Sequence, residues 1–170
     1  MLLAEVERAI DGAEYHEVQA FSLVMPNEKG EIPENRRLAI IFHLRAYYWE
    51  LWSVWDYVLL NANSQTLSLK RVDTGLVEIL KKKFPGYKYL NLLEQMLNDP
   101  LFQRIQRLRH YSHGWVLNPY LVEYTPGEGA NVISLLMNDK SSPEQVNVDR
   151  NDLWFMKSHV QRLKNVGFFS

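Results

Sequence analysis

The chain of 170 residues reads as a mainly α-helical bundle with one long central helix and a β-hairpin before the C-terminal helix. Three observations predict this. From Glu34 to Asn61 there is no Gly and no Pro, and apolar residues recur at spacings of three and four. Shorter segments on both sides carry the same spacing. After Gly114 the pattern changes to two β-prone runs around a Pro-Gly-Glu-Gly turn signal. The length suits one domain spanning residues 1–170, and no internal repeat divides it. With 46% hydrophobic and 23% charged residues, the chain has the apolar material for a core.

In order along the chain, residues 2–10 have helical spacing through Leu2, Leu3, Val6 and Ile10, and Asp11-Gly12 reads as a stop. Residues 14–32 fit either a helix extension or a short strand, and Pro26, Asn27, Gly30 and Pro33 mark a loop. The long helix follows, with Ile41, Leu44, Tyr48, Leu51, Trp52, Trp55 and Leu59 on its buried face. Its roughly 28 residues span about 42 Å. Asn61, Asn63 and Ser64 end it. Asp73 is an N-cap for a helix carrying Leu76, Val77, Ile79 and Leu80, closed by Lys81, Lys82 and Lys83, where cations complement the helix dipole. Tyr89–Leu97 forms another helix. Asp99-Pro100 places a cap and a first-turn proline at the start of the next, which runs to about His113 and stops at Gly114. Tyr120–Thr125 and Asn131–Met137 form the hairpin. Asp149 caps the last helix, with Asp152 in a capping-box position and Leu153, Met156, Val160 and Leu163 facing inward.

Composition excludes several function classes. There is no cysteine, so thiol nucleophiles, disulfides, Fe–S clusters and Cys-based zinc sites are absent together. No GxxxxGK[ST], GxGxxG or GxSxG occurs, which argues against P-loop, dinucleotide-binding and serine-hydrolase readings. No His/Asp/Glu spacing suggests a metal site, and no cofactor is expected. No apolar run reaches the roughly 18–20 residues of a membrane helix, and the first residues do not read as a signal peptide. The expected compartment is the cytoplasm. Net charge is −1, so any nucleic-acid site must come from local clustering of cations.

One segment has that clustering. From Pro100 to Asn118 there are three Arg, two His and no acid. Arg109 and His113 are four apart on a helix and share a face; Arg107 and His110 are three apart and do likewise. Arg offers a planar, permanently charged grip on a phosphate. His moves protons near neutrality. RNA cleavage by its own 2′-hydroxyl needs those two functions. A solvated helix face capped by His is the plainer reading of the same spacing.

The stretch Arg104-Ile-Gln-Arg107-Leu-Arg109-His110-Tyr-Ser-His113 resembles the signature of HEPN domains (higher eukaryotes and prokaryotes nucleotide-binding). Their motif is an Arg, usually followed by Asn, Asp or His, with a His four to six residues further on, near the end of a late helix. Arg109-His110 supplies the first pair, but only three residues separate Arg109 from His113. Arg107 to His113 and Arg104 to His110 each leave five, with no polar residue following Arg107 or Arg104. The resemblance implies an all-α fold and a metal-independent endoribonuclease of toxin–antitoxin or phage-defence systems. It acts as a homodimer and leaves a 2′,3′-cyclic phosphate. It also implies roles. His113 handles the proton, Arg107 and Arg109 neutralise the scissile phosphate, and His110 orients a group. An antitoxin or nucleotidyltransferase partner goes with that biology. Other family members are non-catalytic binding modules, which remains the alternative, together with a helical interaction protein.

Arg104, Lys81, Lys82 and Lys83 are candidates for holding the RNA backbone. Tyr47, Trp49, Trp52, Trp55 and Tyr57 crowd the long helix and read as core or dimer surface, not as a base-stacking platform. His43 reads as a packed or interface histidine, and His16 and His159 have no partner at metal spacing.

Overall fold

A computed structural model describes residues 2–24, 32–112, 117–125, 129–138, 143–148 and 150–170. Its order is α1 (Leu2–Leu23), α2 (Glu34–Ser64), α3 (Leu76–Lys83), α4 (Leu90–Leu97), α5 (Pro100–Ser112), β1 (Leu117–Thr125), β2 (Gly129–Asn138), β3 (Pro143–Val148) and α6 (Asn151–Asn165). The chain is mainly helical, with one long helix and a hairpin before the last helix.

Helix α2 is the axis of the core. It begins directly after Pro33, whose φ of −57° and extended ψ of 137° set the entry. Ile40, Leu44, Tyr48, Leu51, Trp55, Val58, Leu59 and Ala62 are buried along it, and so are Tyr47 and Val54 on its flanks. A helix apolar on several sides is one surrounded by others. Helices α1, α5 and α6 all pack on α2. Asn63 ends it: its side chain donates to the Leu69 carbonyl and accepts from the Leu69 amide, both at 3.0 Å. That reciprocal pair folds residues 64–68 back on the helix end.

The predicted break at Asp11-Gly12 does not occur, and α1 continues to Leu23. Its buried residues Val6, Ala9, Ile10, Ala13, Glu17, Ala20 and Phe21 keep the helical stripe unbroken through the glycine. Gly12 is there because α2 comes close. A Cβ built on it would meet Glu50 Cδ at 3.0 Å. Gly in a helix costs about 1 kcal/mol relative to Ala. Gly12→Ala in a Glu50→Ala background is therefore expected to raise stability by about 0.5–1 kcal/mol over Glu50→Ala alone. In the wild-type background that gain is opposed by the need to move Glu50. Denaturant unfolding of the four proteins checks it, and equal gains in both backgrounds would rule out the close approach.

The start of α5 forms as its sequence dictates: Asp99 Oδ1 accepts the Leu101 amide at 2.9 Å. Asp73 accepts the Gly75 amide at 2.8 Å, but α3 begins at Leu76, so Gly75 and not Asp73 stands at its N-cap. At the other end of the chain, Gly167 at φ +73° closes α6. Phe168 N donates to Leu163 O and Gly167 N to Lys164 O, both at 3.0 Å, a Schellman arrangement with Phe168 and Leu163 both buried. Asn61 and Tyr89 then hold the Phe168 and Gly167 carbonyls at 2.7 Å.

The strands form an antiparallel sheet of order β1-β2-β3. The hairpin register runs from Leu117 opposite Met137 to Thr125 opposite Gly129. The turn residues 126–128 lie outside the described residues. Strand β3 was not foreseen. It starts at a proline and carries the poor strand formers Glu144 and Asn147, and Val146 and Val148 are buried. Strand β2 lies against α1 and β1 against α2.

Candidate functional site

The acid-free helix α5 faces two ways. Phe102, Ile105 and Leu108 are buried against the core, with Phe102 stacked on Trp52 at 5.8 Å and edge-on to Trp55 at 4.9 Å. Gln103, Gln106, Arg107 and His110 are exposed on the other side. With Arg109 and Trp52 they line an open hollow of about 330 Å³. Arg107 and His110 stand side by side there, as their spacing predicts.

Arg109 sits differently. Its guanidinium carbon lies 5.2 Å from the centre of the Trp49 ring and 5.3 Å from that of Trp52. Two indoles on successive turns of α2 thus seat one cation, an arrangement worth about 0.5–2 kcal/mol per contact. Asp56, four residues after Trp52, is nearby. Burial raises its pKa above the ordinary aspartate value, and the Arg109 charge and a hydrogen bond from Trp52 pull it back. Arg109 and His110 also lie in the last turn of α5, where cations offset the carbonyl end of the helix.

A second hollow of about 450 Å³ adjoins the first. Asp56, Trp52, Gln106 and Arg109 form one wall, and Arg71 to Thr74 form the other. Arg71 is thereby placed beside α5. Lys81, Lys82 and Lys83 are exposed at the end of α3 and line neither hollow. Lys81 pairs with Glu94 at 2.8 Å, an exposed contact of small energetic weight.

Arg104 has structural work. Its Nε donates to Asp152 Oδ1 at 3.0 Å. The other oxygen of Asp152 accepts the Tyr48 hydroxyl at 3.0 Å. Asp152 is 0% exposed. The capping-box reading of Asp152 is therefore replaced by a buried network joining α2, α5 and α6, and Arg104 belongs to it. Burial and the Asp152 charge hold the Tyr48 hydroxyl well above its ordinary pKa, so it stays a neutral donor.

His113, the candidate for proton transfer, lies outside the described residues, as does the Gly114 stop signal. His159 packs on the Phe155 ring with centroids 4.5 Å apart, and burial lowers its pKa. His16 and His43 do have a partner: each other. Their Nδ1 atoms are 3.0 Å apart across the α1–α2 contact. Sequence spacing could not show this, because 27 residues separate them. Among the described residues no group of three or more metal-type side chains gathers. No described helix is long and apolar enough to cross a membrane.

Several pocket residues were absent from the sequence-based candidates. Gln103 and Gln106 share the face of Arg107 and His110 by helical spacing, a signal that was present but uncharged. The sequence places Trp52 on the core or dimer surface of the long helix. At 8% exposed it belongs there, yet its edge also forms the wall of both hollows.

No protein-family model matches this chain, and no curated protein or solved structure is significantly similar to it.

Proposed function

We propose that this protein is a metal-independent endoribonuclease of the HEPN type, acting as a homodimer in a toxin–antitoxin or phage-defence system. The observation that carries this reading is the exposed Arg107/His110 pair, over a hollow shared with Arg109, on a helix without acids. In this mechanism a base, assigned to His113, takes the proton of an RNA 2′-hydroxyl. The 2′-oxygen attacks the adjacent phosphorus, the bond from phosphorus to the 5′-oxygen breaks, and the 5′-oxygen leaves with the proton that His113 returns. The products are a 2′,3′-cyclic phosphate and a 5′-hydroxyl. Arg107 and Arg109 offset charge growing on the phosphorane, and His110 orients the substrate. A dimer would cover apolar side chains such as Leu38 and Phe42 on α2, which are 75% and 63% exposed.

The second reading is an RNA-binding module without cleavage. It is favoured by the seating of Arg104 on Asp152 and of Arg109 on two indoles, which ties both side chains into the fold.

Incubation of the purified protein with mixed RNAs in EDTA separates the two. The expected result is cleavage with cyclic-phosphate ends, reduced about 10²–10⁴-fold in His113→Ala and also lost in Arg107→Ala. Absence of cleavage by wild type, with RNA binding retained in a fluorescence-anisotropy titration, selects the binding module. Absence of both removes RNA from the account.

A further inference from the structure

The second hollow, between α2, α5 and residues 71–74, has no part in the cleavage chemistry. It holds about 450 Å³, within the roughly 300–1,000 Å³ of small-ligand sites. It shares Trp52, Gln106 and Arg109 with the hollow under Arg107 and His110. A nucleotide whose phosphate lies over α5 would therefore have its base at this second opening. The two walls carry opposite charges. Asp56 comes from α2 and Arg71 from the segment before α3, and both residues are exposed. Helix α5 has no acid, yet α2 sets a carboxylate beside it. A carboxylate repels the phosphates of an RNA and attracts the N–H donors of its bases.

We infer that this hollow is a base subsite that selects guanine in an RNA strand, with Asp56 and Arg71 as the specificity-determining residues. The inference rests on the reading of α5 as an RNA site. Guanine alone among the four RNA bases has two neighbouring N–H donors on its Watson–Crick edge, at N1 and N2. It has two acceptors, O6 and N7, on its major-groove edge. A carboxylate takes the two donors bidentately, and a guanidinium takes the two acceptors. Adenine and cytosine each offer one donor beside an acceptor on the Watson–Crick edge, and uracil one donor between two acceptors. Asp56 would face an acceptor in each of them.

The site is built for such a ligand. A carboxylate accepts at about four positions, so Asp56 can take a base and keep its hydrogen bond from Trp52. The opposite wall is fixed at both ends. Asn63 clamps Leu69 before it. After it, the Asp73 side chain holds the Gly75 amide at 2.8 Å and the Asp73 carbonyl accepts the Leu76 amide at 3.0 Å. Half-buried Val72 and the edge of Trp52 supply apolar contact for the ring. The walls thus stand in place before a base arrives.

The test titrates the full chain, in EDTA, with the 3′-monophosphates of guanosine, adenosine, cytidine and uridine by isothermal titration calorimetry. The guanosine nucleotide is expected to bind about tenfold tighter than the other three, or more. Inosine 3′-monophosphate, which lacks the N2 amino group, should fall between. Asp56→Asn should bring the guanosine nucleotide toward the level of the others, whose own binding should hold or tighten because a negative charge leaves the site. Arg71→Gln should weaken the guanosine nucleotide more than the uridine one. Circular dichroism checks that each variant is folded, and the inosine comparison, which needs no variant, decides if one is not. A 2′-O-methylated oligouridine with one guanosine, which cannot be cleaved, should bind more tightly than the guanosine nucleotide through its further phosphates. Equal affinity for those two would give the hollow to free guanine nucleotides and overturn its place in an RNA site. Equal affinity for the four monophosphates, or an Asp56→Asn loss spread evenly over all four, overturns the inference and leaves Asp56 as a partner of Arg109. Guanine preference without RNA cleavage would keep the subsite and remove the nuclease. Cleavage with no guanine preference would do the reverse.

Discussion

Asp152→Ala is expected to lower the stability of the fold by about 3–5 kcal/mol, because removing one partner of a buried ion pair strands the other. The carboxylate is 0% exposed and is bound on both oxygens, by Arg104 Nε and by the Tyr48 hydroxyl. Its loss leaves a guanidinium and a buried phenol without their acceptor, across the junction of α2, α5 and α6. For a chain of this size the loss corresponds to a Tm lower by about 6–20 °C. Asp152→Asn retains an acceptor for one of the two donors and should cost less, about 1–3 kcal/mol. The double variant Asp152→Leu/Arg104→Met removes both charges and should recover most of the loss, since apolar replacement of a buried pair is often neutral. Thermal unfolding of the three variants checks this. A Tm for Asp152→Ala within about 2 °C of wild type would show that the network does not hold the helices together.

That network also explains what the sequence could and could not convey. The helical class was legible because it rests on local signals: the spacing along α2, the Asp99-Pro100 start, and Leu153, Met156, Val160 and Leu163 on α6, all of which are buried. The errors share a cause, which is that tertiary contact overrode a local signal. Asp11-Gly12 has the look of a helix end, yet the glycine serves a close approach by Glu50. Asp152 sits where a capping residue would, yet its charge is answered by a residue 48 positions earlier. Strand β3 has little local preference and is held by pairing with β2, Ile133 opposite Val148 through Asn138 opposite Pro143. On α5 the spacing correctly placed Arg107 and His110 together. It could not distinguish the settings of the three arginines: Arg107 over a hollow, Arg104 on Asp152 and Arg109 on two indoles. That distinction depends on what α2 and α6 present to each position. His16 and His43 carry the same lesson: neither has a local signature, and only the packing of α1 on α2 brings them to 3.0 Å.

Trp52→Ala should produce the second large effect, and it connects the core to the candidate site. Trp52 is stacked on Phe102, lies under the Arg109 guanidinium, and hydrogen-bonds Asp56. Truncation of a buried Trp costs about 3–5 kcal/mol, so a Tm lower by about 6–20 °C is expected. The same change takes away one of the two rings that seat Arg109, and the cation loses its fixed position beside Arg107 and His110. Trp52→Phe separates these consequences. It keeps an aromatic ring against Phe102 and under Arg109, so its stability loss should be much smaller. It removes the indole N–H, and with it an interaction that lowers the pKa of Asp56. The Asp56 carboxyl should therefore titrate still higher in Trp52→Phe than in wild type, as carboxyl chemical shifts would report. If Arg109 acts on a phosphate through this seat, Arg109→Lys should impair RNA cleavage or binding well beyond its effect on Tm, because lysine keeps the charge but not the planar group that stacks. Trp52→Phe, with the seat largely intact, should retain most of the function. An Arg109→Lys protein with wild-type activity would mean that the two indoles hold this arginine for the fold alone.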